Sequence, residues 1–158
     1  VYIPLPPEVL ATSSKGRSAW GKSRPEDEVR RSVYGKVKRS LMPPQLAELD
    51  AADTDASCPV RFTTIVPTQA LGFLNSAFMN DHAKVLAERL RREAGEDDGA
   101  RMRLGLELAL SRPATEREVE YGGELLKVMR EKHGLDEAAA LDRFALFLLN
   151  LNEFIFLD

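Results

Sequence analysis

The sequence predicts a mainly α-helical domain of four to five helices, preceded by an extended, proline-rich N-terminal arm. Two observations lead to this prediction. Eight of the nine prolines lie at or before position 67, so residues 1–66 contain little uninterrupted helix. From position 68 onward, apolar residues recur at helical spacing between helix start and stop signals. We therefore expect one domain over residues 1–158, with an irregular arm over 1–66 and a helical bundle over 67–158.

Two segments of the arm have the character of extended structure. Residues 31–39 alternate, with Val33 and Val37 on one side, and a period of two is typical of a strand, although Gly35 weakens it. Residues 61–66 are rich in β-branched side chains. The two segments predict at most one short two-stranded hairpin.

The second segment reads as a series of helices whose ends are marked by capping residues, glycine and proline. The predicted helices run from Thr68 to Gly95 with a break near Asn75-Ser76, from Met102 to Leu110 before Pro113, from the capping box Thr115–Glu118 to Gly134, and from the N-cap Asp136 onward.

The last stretch, residues 144–158, is the most apolar part of the chain. Ten of its fifteen residues are large and apolar. It is too short and too polar to span a bilayer, so we expect it at the buried centre of the domain. Three polar side chains lie among these apolar residues, Asn150, Asn152 and Glu153, and they then require hydrogen-bond partners.

Polar side chains at the junction between the arm and the first helix are possible partners. In the simplest interpretation they hold the arm to the last helix, and in the alternative they form a pocket that another domain completes. The candidate polar site comprises Arg61, Thr64, Gln69, Asn75, Asn150, Asn152 and Glu153.

A basic run over residues 30–39 is a candidate anion-binding site, with Lys36, Lys38 and Arg39 as its ligands. An anionic glycan is a possible partner. The alternative is a solvated strand edge whose charges prevent edge-to-edge association. A net charge of −3 gives no reason to expect nucleic acid.

The sequence offers no recognisable metal, cofactor or catalytic site. Cys58 is the only cysteine, which excludes an intrachain disulfide and a Cys-x-x-Cys motif. Residues 53–57 have calcium-loop spacing, but Cys58 and Thr64 occupy the positions where glycine and glutamate are needed. His82 and His133 are too few for a metal site. We expect no cofactor, no catalytic residue and no membrane span in this chain.

A series of short motifs, in a fixed order, resembles one bacterial family. The motifs are Arg31-Ser-Val-Tyr34, Lys38-Arg-Ser-Leu41, Cys58-Pro-Val-Arg-Phe-Thr-Thr64, Pro67-Thr-Gln-Ala-Leu71, Leu74-Asn75-Ser76, Arg112-Pro113 with Thr115 and Glu118, and Leu149-Asn150-Leu-Asn-Glu-Phe154. Over about residues 5–158 the chain resembles the C-terminal domain of unknown function in large exported proteins of planctomycetes and related bacteria.

The resemblance implies an extracytoplasmic location and a multidomain parent that often carries a c-type cytochrome-like module towards its N-terminus. It supplies no catalytic residues, and the haem-attachment motif of that module is absent from this chain. Because the sequence begins at Val1 and enters a proline-rich stretch at once, we expect it to be a fragment of a longer protein.

Two functions from different classes follow. The preferred one is a non-catalytic helical module that packs against other domains of the same polypeptide. The alternative is part of a carbohydrate-active or redox-linked enzyme, with Arg61, Thr64, Gln69 and Asn75 lining a cleft completed by a missing upstream domain. An open cleft lined by Arg61 and the C-terminal Asn and Glu side chains would favour the enzyme.

If the C-terminal helix is buried, Phe144→Ala or Leu148→Ala should each lower the free energy of unfolding by roughly 2–5 kcal/mol, because each leaves a cavity. Urea denaturation measures this change. An unchanged transition midpoint for both variants would mean that the core lies elsewhere.

Overall fold

The computed structural model describes residues 1–11, 20–39, 41–52, 57 and 67–156. The chain divides into two compact units, Val1–Ile65 and Val66–Asp158. The described residues are mainly helical, which confirms the predicted fold class. In the first unit the helices are short: α1 (Pro7–Ala11), α2 (Pro25–Glu28), a 3₁₀ turn (Ser32–Tyr34) and α3 (Pro44–Glu48). Each of these described α-helices begins at a proline, whose fixed φ suits the first helical position.

The strand predicted over residues 31–39 is wrong. Ser32–Tyr34 forms a 3₁₀ turn, and the pairing of this segment with other described residues is limited to an isolated bridge between Lys38 and Leu41. The alternation was misleading because Val33 and Val37 are 74% and 43% exposed, so they bury no sheet face. The second strand of the predicted hairpin, residues 61–66, lies outside the described residues.

Tyr2 is the centre of packing in the first unit. The Trp20 ring meets it edge-on at 5.6 Å, and Trp20 Nε1 donates a 2.8 Å hydrogen bond to the Ile3 carbonyl. A Cβ at Gly21 would lie 2.5 Å from two carbons of the Tyr2 ring, so only glycine permits this approach. The Lys36 ammonium lies 4.9 Å from the ring centroid.

The second unit contains the longer helices, and their boundaries follow the predicted signals closely. They are α4 (Pro67–Asn75), α5 (Ala77–Ala94), α6 (Asp98–Leu110), α7 (Glu116–Glu131), α8 (Glu137–Leu148) and the short α9 (Asn152–Ile155). The break near Asn75-Ser76, the Thr115–Glu118 capping box and the Asp136 N-cap are confirmed.

Helix α8 forms the centre of the second unit and packs on α5, α6 and α7. Phe144 and Leu148 are at most 1% exposed. Two glycines let the neighbouring helices approach the Phe144 ring. A Cβ at Gly105 of α6 would lie 3.3 Å from Phe144 Cε1, and a Cβ at Gly122 of α7 would lie 3.3 Å from Cε2.

The expectation that the whole stretch 144–158 is buried holds for α8 and fails beyond it. Asn152, Glu153 and Phe154 are exposed, Phe154 by 41%. The chain turns at residues 149–151, so α9 is a separate element that contacts α6 and presents one side to solvent. A run of apolar residues does not reveal such a turn.

A buried arginine joins several helix ends at one end of the unit. Arg101 is 3% exposed, and its guanidinium donates to the Gly95 carbonyl at 2.6 Å and to Glu137 Oε1 at 2.6 Å. Asp98 accepts two hydrogen bonds from Arg130, at 2.6 and 3.1 Å. These bonds, opposed by partial burial, lower the pKa of Asp98.

Two helical glycines provide a matched test of the close packing. Gly105→Ala places a Cβ 2.7 Å from Leu148 Cδ1 in the core and should lower the free energy of unfolding by about 1–3 kcal/mol. Gly123→Ala, in α7, meets nothing within 4 Å and should raise it by about 0.5–1 kcal/mol through helix propensity. Chemical denaturation of both variants distinguishes these outcomes. Equal stabilisation by both would refute the close approach of α6 to α8.

Candidate functional site

The most connected polar group of the second unit is the Arg112 cluster, which we define as Arg112, Thr115, Glu118 and Glu153. Arg112 lies in the loop between α6 and α7. Its guanidinium makes two hydrogen bonds to Glu118, at 2.7 and 3.1 Å, and two to Glu153, at 2.7 and 2.9 Å. The cluster thereby ties the start of α7 to α9.

Local structure positions both carboxylates. Thr115 is the N-cap of α7, and the Glu118 side chain accepts hydrogen bonds from the Thr115 backbone N–H and hydroxyl, each at 2.8 Å. Glu153 lies in the first turn of α9. The capping box therefore holds Glu118 in the position that Arg112 contacts.

The electrostatics of the cluster favour ionised carboxylates. Hydrogen bonds from Arg112, followed by those from Thr115, lower the pKa of Glu118 to about 2. Arg112 also lowers the pKa of Glu153, and the two acids raise the pKa of Arg112 in return. A general acid needs a pKa near the working pH, so neither glutamate is suited to donate a proton at neutral pH.

An open groove runs beside this cluster. Its first part, of about 540 Å³, is lined mainly by apolar side chains, including Tyr121, Leu125 and Phe147. Its polar lining comprises Glu118, Asn150, Asn152 and Glu153.

A second part, of about 720 Å³, continues along α7 and α8 and shares Leu125, Phe147 and Asn150 with the first, and Leu74 of α4 also lines it. Val128 of α7 adds to its apolar wall, and its charged or titratable lining comprises His133 and Arg143. We call the two parts together the α7–α8 groove.

The structure brings together three of the seven residues of the predicted polar site. Asn150, Asn152 and Glu153 line the groove. Asn150 Nδ2 donates to the Leu146 carbonyl at 2.7 Å, while its buried Oδ1 has no hydrogen-bond partner within the described residues. Glu153 pairs with Arg112, a partner that the sequence interpretation did not name.

Of the other four members of that set, the two that the structure describes, Gln69 and Asn75, do not line the groove. Gln69 is buried in α4, and Asn75 is exposed at its end. Arg61 and Thr64 lie outside the described residues, so the predicted bonds between them and the C-terminal amides remain a prediction.

The basic run of the first unit is partly engaged in local contacts. Lys36 Nζ donates to Tyr2 Oη at 3.2 Å in addition to lying over its ring. Lys38 takes part in the bridge to Leu41, and Arg39 is exposed. An anionic glycan as the partner of this run stays a prediction.

The histidines and acids of the described residues form no obvious metal centre. His82 packs on the Phe78 ring, with centroids 4.2 Å apart, and the described part of the chain contains no group of three or more potential metal ligands. Cys58 and most of the calcium-like loop lie outside it. No described helix is long and apolar enough to cross a membrane.

Sequence reasoning missed the structural roles of two arginines. Arg101 shares a helical face with the core residue Gly105, and a charge at such spacing is a signal for a buried ion pair. Arg112 stands just before the capping box, so its partner Glu118, six residues on, was within reach of sequence reasoning. Its second partner, Glu153, is 41 residues away and could not be found from spacing.

Comparison with known proteins gives one match. A family model described as "PSD1: Protein of unknown function (DUF1553)" matches residues 4–126. No curated protein and no solved structure matches the chain.

The lowered pKa of Glu118 gives the cluster a defined pH dependence. Its pairing with Arg112 stabilises the folded state fully above the ordinary glutamate pKa of 4.5, and this contribution is lost as pH falls towards about 2. The difference in free energy of unfolding between the wild type and Glu118→Gln should therefore shrink as pH falls from about 5 to 2.

Urea denaturation at a series of pH values measures this difference. Glu124→Gln removes a carboxylate from an exposed position of the same helix and controls for the change in net charge. A difference for Glu118→Gln that stays constant with pH would show that the Arg112 pairing does not stabilise the fold.

Proposed function

Since this chain belongs to the PSD1 family of proteins of unknown function (DUF1553), we propose that it is a non-catalytic helical module that packs against other domains of a larger exported bacterial protein. The observation that carries this proposal is the character of the α7–α8 groove: its walls are apolar and its acids are already paired.

The state of the acids supports a structural role. Glu118 and Glu153 are the two carboxylates that line the groove, and both accept bidentate hydrogen bonds from Arg112. Carboxylates that are paired with Arg112 and have a lowered pKa are suited to holding α9 against the bundle. They are poorly suited to exchange protons with a substrate.

The apolar surface supports packing against another domain. Tyr121 is 54% and Phe147 44% exposed, and both line the groove. Large apolar side chains that share one concave surface are typical of an interaction site. Interfaces between domains of one chain commonly use such surfaces.

The proposed setting rests on the resemblance of the sequence motifs. We place the module in an extracytoplasmic protein of planctomycete type, near a c-type cytochrome-like domain. Any cofactor would then be bound by the neighbouring domain, and this chain would hold that domain in position through the surface that contacts it.

Hydroxyl-radical footprinting tests the proposal by comparing the 158-residue chain alone with the polypeptide encoded by the complete reading frame. We expect at least one group of exposed aromatic residues, among Phe78, Tyr121, Phe147 and Phe154, to react severalfold more slowly in the longer polypeptide. Phe144, 1% exposed, is the internal control and should react slowly in both samples. Equal reactivity of all four exposed residues in both samples would overturn the proposal.

A further inference from the structure

The α7–α8 groove has the dimensions of a site for a helix. It runs along α7 from Glu118 to Met129, which at 1.5 Å per residue is about 16 Å, and reaches His133 just beyond the helix end. Tyr121, Leu125 and Val128 form one wall at the four- and three-residue spacing of a single helical face. A groove between two helices with this pattern accepts the apolar face of a third helix.

The charges along the groove are distributed unequally. At the α9 end, Glu118 and Glu153 are both occupied by Arg112, and Arg117 donates to Tyr121 Oη at 2.8 and 3.0 Å. At the other end, Arg143 lines the groove and forms no ion pair with any described residue. Arg143 is therefore the groove cation that is left for a partner to neutralise.

We propose that the α7–α8 groove binds an amphipathic helix that carries an acidic side chain opposite Arg143. This inference rests on the proposed function, because the helix is supplied by another domain of the parent polypeptide. Its apolar residues, three and four positions apart, pack on Leu125, Val128 and Phe147. The carboxylate of the bound helix accepts two hydrogen bonds from the Arg143 guanidinium, which is the bidentate geometry that arginine favours.

A second copy of this chain is a poorer occupant. A two-fold contact would place the groove of one copy against the same groove of the other, and two concave surfaces leave both unfilled. It would also bring two Arg143 side chains to the same interface, while the groove acids Glu118 and Glu153 are already paired with Arg112. A convex helix with an acidic residue satisfies both the shape and the charge.

The test uses a display library of amphipathic helical peptides of about 14 residues, patterned with apolar residues at i, i+3 and i+7 and randomised elsewhere. The library is selected on the 158-residue chain, and affinities of enriched peptides are measured by fluorescence anisotropy. We expect the enriched peptides to share an Asp or Glu in one terminal turn.

Two pairs of variants locate the binding site. Phe147→Ser should weaken peptide binding by about tenfold or more, because it removes a central apolar anchor. Val85→Ser, at a residue 64% exposed on α5 and outside the groove, is its control and should leave affinity unchanged.

Arg143→Glu should reverse the charge preference, so that peptides with Lys in place of the acid bind better. Lys127→Glu, on the outer side of α7 with its side chain 70% exposed, should have no such effect.

Circular dichroism and thermal melts confirm that each variant is folded. The proposal is overturned if no patterned peptide is enriched, if Phe147→Ser binds as well as Val85→Ser, or if Arg143→Glu leaves the charge preference intact. Sedimentation velocity tests for a second copy in the groove. Dimers that form with increasing concentration and are abolished by Phe147→Ser would assign the groove to a second copy and would also overturn the proposal. If no peptide binds the groove but footprinting shows that Phe78 is protected in the longer polypeptide, the structural role is supported and the assignment of a partner to the groove is wrong.

Discussion

The fold of the second unit depends on the Phe144 ring being held between two glycines. A Cβ at Gly105 of α6 or at Gly122 of α7 would lie 3.3 Å from the ring, and it would also meet Leu148 Cδ1 at 2.7 Å or Met102 Sδ at 2.9 Å, respectively. Because interiors are close-packed, this contact fixes how near α6 and α7 lie to α8. The separation of α7 and α8 in turn sets the width of the groove between them. One packing constraint therefore connects the core to the surface that we assign to a partner.

Electrostatic clamps act at the two ends of this packed centre. Arg101 links the helix ends near Gly95 and Glu137, and Arg112 holds α9 against the start of α7. The Arg112 pairs are partly exposed and add little stability, but their bidentate geometry fixes the orientation of α9 against α7. The Arg112 pairs also neutralise both groove acids, Glu118 and Glu153, so that Arg143 is the charge to which our proposal assigns a partner.

The helices could be predicted from the sequence because their signals are local. Thr115–Glu118, Asp136 and the glycine stops lie within one turn of the helix ends that they mark, and the structure has them there. The strand at residues 31–39 failed because alternation alone does not show that a face is buried: Val33 and Val37 are exposed. The Arg112–Glu153 pair and the glycine contacts join residues far apart in sequence, so they depend on the three-dimensional packing. The groove is likewise invisible in the sequence, since its lining comes from several helices, mainly α7 and α8 with Leu106 of α6 and Leu74 of α4.

The most direct test of this account is a nuclear Overhauser measurement on the isotopically labelled 158-residue chain. The account predicts cross-peaks from the Phe144 ring protons to the α-protons of both Gly105 and Gly122, because the ring contacts both helices. Cross-peaks to neither glycine, with the Phe144 ring in contact with solvent, would contradict the packing on which the groove depends.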